Sequence, residues 1–215
     1  MLSPNMASSI IIIVVLMVVL SFFGSRIAKM DPSKPIKGPL FLVILLVDML
    51  NTLIQNYFGR HWKRFAPMLI GILLYLGLAN TISLFGLATP LSNINIALGF
   101  SLMAFLIIQI SAMVIRNPWQ RLKDLMSPIP FLLPLNIIGE ISTTTAMGLR
   151  LFGNILSGAV IGVIVMNILP NVVAILPMTF VVHPIFNIGF GLIQAFVYFM
   201  LLMIFLSIAV ETEEI

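Results

Sequence analysis

The chain has 215 residues, of which 60% are hydrophobic and 8% charged, against the roughly 25% charged residues usual in soluble domains. That composition excludes an ordinary soluble domain and points to an integral membrane protein, because a bilayer core takes about 20 apolar residues per helical crossing and several uncharged runs exceed that length. Cysteine is absent, which excludes disulfides and thiolate metal sites, and the sequence pI near 9.8 comes from basic residues at the ends of apolar runs, a topological pattern rather than a nucleic-acid footprint.

The first predicted element is a helix over about residues 9–28. Its apolar run, Ser9 to Phe23, is read as a retained crossing and not a cleaved signal, since no basic residue precedes it and no soluble domain follows. Ten of the eleven Lys and Arg residues fall in three groups, Arg26 to Lys37, Arg60 to Arg64 and Arg116 to Lys123. If all three face the cytoplasm, the chain between them must return to the same side.

Residues 39–59 therefore form an interfacial amphipathic helix. Asp48, Asn51, Thr52, Gln55 and Gly59 make a polar stripe on it, and such a helix is stable lying along a membrane face. The competing reading is a sixth crossing. Residues 65–115 hold 51 positions without a formal charge, enough for an out-and-back hairpin over about 66–115 that turns at "ATPLSNIN", Ala88 to Asn95.

After Lys123 the breaker-rich "SPIPFLLP" leads into a tilted helix hairpin over about 131–210, interrupted near "NILPNVVAILP". Its two predicted helices, Leu135 to Leu169 and Met178 to Val210, exceed a perpendicular crossing at about 1.5 Å per residue, so they tilt strongly or run partly in plane. Five crossings put the N-terminus outside and the tail "ETEEI" in the cytoplasm. The fold expectation is an all-α polytopic membrane protein, one membrane domain over 1–215, with about five crossings, one interfacial helix and two long tilted C-terminal helices.

The chemistry concentrates at a few polar positions. Arg150, in "GLRLFGN", stands alone among apolar residues. An arginine near mid-membrane costs about 3 kcal/mol on insertion scales, so it is usually functional or paired. The candidate partner Glu140 lies ten residues away, about 15 Å along a helix and roughly 80° around it, too far for a direct pair. A structural arginine that snorkels, or pairs with Glu140 through a bend, is the plain alternative. Asn154 shares the Arg150 face, where it orients the guanidinium or bonds another helix, and Ser157 and Gly158 continue that face with small groups.

On a 3.6-residue helix, His183, Asn187, Gly191, Gln194 and Tyr198 fall within about 80° of one another. Polar groups aligned through an apolar helix suggest a wet path, and an unpaired amide such as that of Gln194 is expensive there. His183 exchanges protons near neutral pH or, preceding Pro184, simply caps the helix. Asn80 and Ser83, in "LANTISLFG", share a face and serve either interhelical packing or an aqueous vestibule. No metal spacing, phosphate-cradling glycine loop or activated nucleophile occurs, so no catalytic residue, cofactor or metal is expected.

The runs "PLNIIGEISTTTAMGLRLFGNILSG", Pro134 to Gly158, and "GLIQAFVYFMLLMIFLSIAVETEE" near the end resemble subunit a of rotary F-type ATP synthases. The likeness is densest in the last 90 or so residues, with a looser match through "ANTISLFG". It implies a non-catalytic subunit beside a rotating c-ring, offering two offset aqueous half-channels that couple proton flow to rotation and ATP synthesis. By the same motifs Arg150 is the essential arginine, Asn154 the asparagine of "LRLFGN", Gln194 the glutamine of "IQAF", Glu140 the acidic residue before the arginine, and Asn80 a half-channel residue. Two positions depart: Ala159 and Asn187 stand where many bacterial members carry ionisable groups, and His183 is a candidate replacement.

Implied partners are the c-ring, peripheral-stalk subunit b, the remaining F1Fo complex and membrane lipids. The implied location is a bacterial plasma membrane, with the mitochondrial inner membrane as the alternative. From the residues alone, a small secondary transporter of an anionic substrate and a purely structural membrane subunit remain rivals. The missing inverted repeats weigh against the former and the cost of a lone mid-membrane arginine against the latter.

Overall fold

A computed structural model describes residues 3–29, 38–116, 118–126, 129–168, 181 and 184–210. Among these residues the fold is all helix: α1 Pro4–Ala28, α2 Pro39–Phe58, α3 Trp62–Thr81, α4 Ile94–Arg116, α5 Pro118–Met126, α6 Leu133–Ile168, a π-helical stretch Pro184–Phe190, and α7 Gly191–Val210. Five helical stretches are long and apolar enough to cross a bilayer: Pro4–Ala28, Leu40–Phe85, Ile94–Ile115, Pro130–Ile168 and Ile188–Val210. The fold class expected from composition and run length is thereby found.

The boundaries follow local chemistry. Ser3 caps α1 by accepting the Met6 amide, with Pro4 at the first helical position. Gly59 ends α2 at φ +47°, a left-handed conformation that favours glycine. After α3 a short 3₁₀ turn, Ile82–Phe85, closes on Gly86, and the Asn93 side chain then accepts the Asn95 amide beside the start of α4.

α7 is the core helix. Tyr198, Phe199, Leu202, Met203 and Leu206 are fully buried, packed chiefly by α3 and α4 and less by α6, while α6 packs mainly on α4. Lipid tails are as apolar as these side chains, so close contact and interhelical hydrogen bonds, not water exclusion, bind the helices. The tightest approach is α4 on α6: a Cβ at Gly148 would overlap the Ser101 hydroxyl and the Ala97 carbonyl. Polar clasps add to it. Tyr198 donates to the Phe100 carbonyl at 2.7 Å, Asn80 to the Gly191 carbonyl at 3.0 Å, and Tyr75 to the Ser9 hydroxyl at 3.0 Å.

Two ends can be distinguished. The Ser207 hydroxyl reaches the Tyr57 carbonyl and Asn136 reaches the Leu125 carbonyl. These contacts gather the α2–α3 junction, α5, the start of α6 and the end of α7 at one end, which also carries Arg60 and Lys123. At the opposite end Asn5 meets Ser92.

Two expectations are refined. α2 has three faces: Leu50, Ile54 and Phe58 are buried against the protein, Asp48, Thr52 and Gln55 are exposed on a second face, and Leu42, Leu45, Leu46 and Met49 are exposed on a third. The predicted final helix from Met178 is not uniformly wound over its described part. Pro184–Phe190 is π-helical, with i→i+5 bonds that turn each residue less than the α-helical 100°. The 3.6-residue stripe therefore does not extend back from Gly191 to Asn187.

Candidate functional site

The 36 residues of α6 span about 54 Å and carry the site's central cation. Met147, Gly148 and Leu151 turn inward, which leaves Arg150, some 200° from Gly148 around the helix, exposed on the outer face. Its neighbours on that side at helical spacing are small or uncharged, Ala146, Gly153, Asn154 and Ser157. Among the described residues the one carboxylate in an ion pair, Glu140, is bonded elsewhere.

Beyond Arg150, away from the basic end, lies the first polar group. Asn154 donates to Gln194 Oε1 at 3.4 Å, joining α6 to α7. Gln194 is 6% exposed, and its Nε2 is buried with no hydrogen-bond partner among the described residues. One turn earlier on α7, Gly191 meets Asn80 of α3, which donates to both the Gly191 and Leu76 carbonyls. The approach is close, since a Cβ on Gly191 would sit 2.8 Å from Asn80 Cβ. Ser83 lies just past the end of α3 and its buried hydroxyl has no partner among the described residues. Tyr198 is turned aside to clasp α4. His183 lies outside the described residues, and Asn187 is described only as part of the π-helical backbone.

The second polar group occupies the basic end. A cavity of about 360 Å³ is lined by Gln109, Arg121, Asn136, Glu140, Thr143 and Thr144, with Phe205, Ile208 and Ala209 of α7 among its apolar walls. Glu140 is not near Arg150. Arg121 Nη2 donates to Glu140 Oε1 at 2.5 Å and lies 3.5 Å from Gln109 Oε1, while Gln109 Nε2 donates to Glu140 Oε2.

Sequence reasoning missed Gln109 and Arg121. Arg121 reads as one more topological charge, and only the packing of α5 buries it to 8% exposure. A faint signal exists: Arg121 and Leu125 stand four apart on one face of α5, and both line the cavity.

Measured along α6, Glu140 lies ten residues, about 15 Å, to one side of Arg150, and Asn154 lies four residues, about 6 Å, to the other. Among the described residues the arrangement is two separate polar groups, one toward each end of the molecule, with the outward-facing guanidinium of Arg150 at the level between them. A binding cleft would instead focus its polar groups on one enclosed volume.

A sequence model of a family described as "ATP synthase A chain" matches residues 6–207. Over 205 residues the chain is 28% identical to "ATP synthase subunit a 2" of Pelobacter propionicus, covering 93% of this chain and 85% of that one. It is also 28% identical to "ATP synthase subunit a" of Oceanobacillus iheyensis, covering 97% and 92%, and 28% identical to the protein of that name from Alkalihalophilus pseudofirmus, covering 99% and 94%.

Proposed function

The chain belongs to the ATP synthase A chain family, and from that premise we propose how its residues carry ions. The protein is a non-catalytic, proton-translocating membrane subunit of an F-type ATP synthase. In the proposed reading Arg150 faces the c-ring, whose subunits each bring a buried carboxyl group past it.

A protonated carboxyl crosses lipid at low cost and an ionised one does not, so rotation is gated by protonation. Beside Arg150 the cation favours the carboxylate, and the proton leaves into one half-channel. Past Arg150 the carboxylate meets the other half-channel and is reprotonated. The fixed charge also blocks direct leakage between the two, so current requires rotation. Arginine suits this better than lysine because its charge survives burial.

The two polar groups supply the half-channels. Asn154, Gln194, Asn80 and Ser83 belong to the path at the outer end, and Glu140 to the path at the basic, cytoplasmic end. Tyr198 lines the outer path only through its position in α7. Asn187 and His183 are assigned to the outer mouth, with His183 standing in for the ionisable groups missing at Ala159 and Asn187. If so, His183→Ala slows ATP-driven pumping, and unchanged pumping discards that assignment. Peripheral-stalk subunit b is the proposed second partner, and a bacterial plasma membrane the proposed location.

The observation that carries this reading is Arg150: an outward-facing cation in an otherwise uncharged stretch of α6, with polar groups on either side along the axis. The test is ATP-driven proton pumping in inverted vesicles, wild type against Arg150→Ala, with nucleotide hydrolysis and assembly monitored. Loss of pumping in an assembled complex is expected. Normal pumping makes Arg150 a packing residue and overturns the reading.

A further inference from the structure

The three-way contact of Arg121, Gln109 and Glu140 is a built polar site of which the ion path described above uses only Glu140. Arg121 comes from α5, a nine-residue helix that packs on both α4 and α6. Gln109 comes from α4 and Glu140 from α6, so three helices meet in one bonded cluster on the cavity wall. Arg121 is 8% exposed, and its Nε is buried without a hydrogen-bond partner among the described residues. Burying a cation with one nitrogen unsatisfied costs free energy, and a bridge that only joined α5 to α6 is of a kind that apolar contacts often replace without loss. The site's other lining groups, Asn136, Thr143 and Thr144, bond backbone carbonyls of Leu125, Gly139, Glu140 and Ile141. None of them holds the Glu140 carboxylate.

We propose that Arg121, with Gln109, is a positioning residue for ion transfer: it pins the Glu140 carboxylate to the wall of the cavity at the basic end and balances its charge there. An ion crossing the cavity then meets a fixed, neutral pair instead of a mobile anion that would trap it. This rests on the reading of Glu140 as part of the cytoplasmic path. Only one nitrogen of Arg121, Nη2, makes both contacts, so an ammonium at the same place can replace it. The forked geometry that usually separates arginine from lysine is not used.

The experiment measures passive proton conductance per assembled complex, in membranes stripped of the nucleotide-hydrolysing head, for Arg121→Gln, Arg121→Lys, Glu140→Gln, the Arg121→Gln/Glu140→Gln pair and Arg150→Ala. The expected result is at least about a tenfold loss in Arg121→Gln, recovery to within about twofold in Arg121→Lys, and a double variant no worse than the poorer single one, because coupled residues are non-additive. Should Arg121→Gln prevent assembly, Gln109→Leu and Arg121→Lys still decide the matter, the former lowering conductance and the latter preserving it. Wild-type conductance in Arg121→Gln overturns the proposal, as does a double variant whose loss is the product of the single losses. Either result, alongside an Arg150→Ala complex that assembles without pumping, removes this role and leaves the wider reading intact.

Discussion

At the residue scale, Gln194 separates function from stability. Its Nε2 is buried without a partner, a state that costs about 1–3 kcal/mol relative to a satisfied group. Among the described residues its side chain makes one hydrogen bond, a long one at 3.4 Å, from Asn154. Replacing Gln194 by Leu removes the unsatisfied amide, so the subunit is expected to unfold in detergent no earlier than wild type, while pumping per assembled complex falls by about tenfold or more. A variant that pumps normally would assign the glutamine to packing alone. Asn80 contrasts with it. Both of its amide bonds are made to backbone carbonyls, one of them across the α3–α7 crossing, so Asn80→Leu removes an interhelical hydrogen bond and is expected to lower stability by about 0.6–1.7 kcal/mol, the average-to-maximum span of such bonds in membranes. The legibility of these residues differs for a related reason. Arg150 stands out because charge is forbidden around it, whereas Arg121 hides among other cations until its burial is known.

At the element scale, the α4–α6 contact fixes where Arg150 points. Gly148 faces the Ser101 hydroxyl and the Ala97 carbonyl so closely that no Cβ fits. One of those neighbours is backbone, so relief requires the helices to separate. Gly148→Ala is expected to destabilise the subunit by about 1–3 kcal/mol, the usual range for overpacking. Gly153→Ala, five residues on and with nothing within 4 Å of the added methyl, should leave stability unchanged or raise it by up to about 1 kcal/mol through helix propensity. Thermal unfolding of the two variants in one detergent compares them directly, and equal midpoints would mean that the close approach does not constrain the fold. The apolar length and the small residues of "TAMGLRLFG" were legible in the sequence. Which glycine touches another helix was not, because small residues recur on every face of α6. The π-helical turn before α7 was also hidden: winding depends on neighbours that a periodicity count cannot see.

At the scale of the whole molecule, the absence of cysteine allows topology to be tested with single introduced thiols. The positive-inside reading puts Trp119, 72% exposed on α5, in the cytoplasm and Asn95, exposed at the start of α4, outside. A membrane-impermeant reagent should therefore label Trp119→Cys only in inverted vesicles and Asn95→Cys only in right-side-out ones. Labelling of both from one side would refute the hairpin. Thr52→Cys tests α2 in the same way. Its polar face should label from the cytoplasmic side if the helix lies in the interface, and a lipid-shielded, unreactive thiol would mean that it crosses.

The membrane, the helical class and the isolated charge of Arg150 were legible in the sequence without any structure, because each follows from the cost of placing charge or unpaired backbone in hydrocarbon, which accrues residue by residue along the chain. The family likeness in "LRLFGN" and "IQAF" was equally visible, as it lies in contiguous runs. Tertiary structure alone decided that Glu140 bonds Arg121 and Gln109 instead of approaching Arg150, that Asn154 meets Gln194, and that Tyr198 clasps Phe100. Those pairings join residues 19 to 98 positions apart, and they depend on how helices rotate and cross, which small differences in packing control and no single run of sequence records.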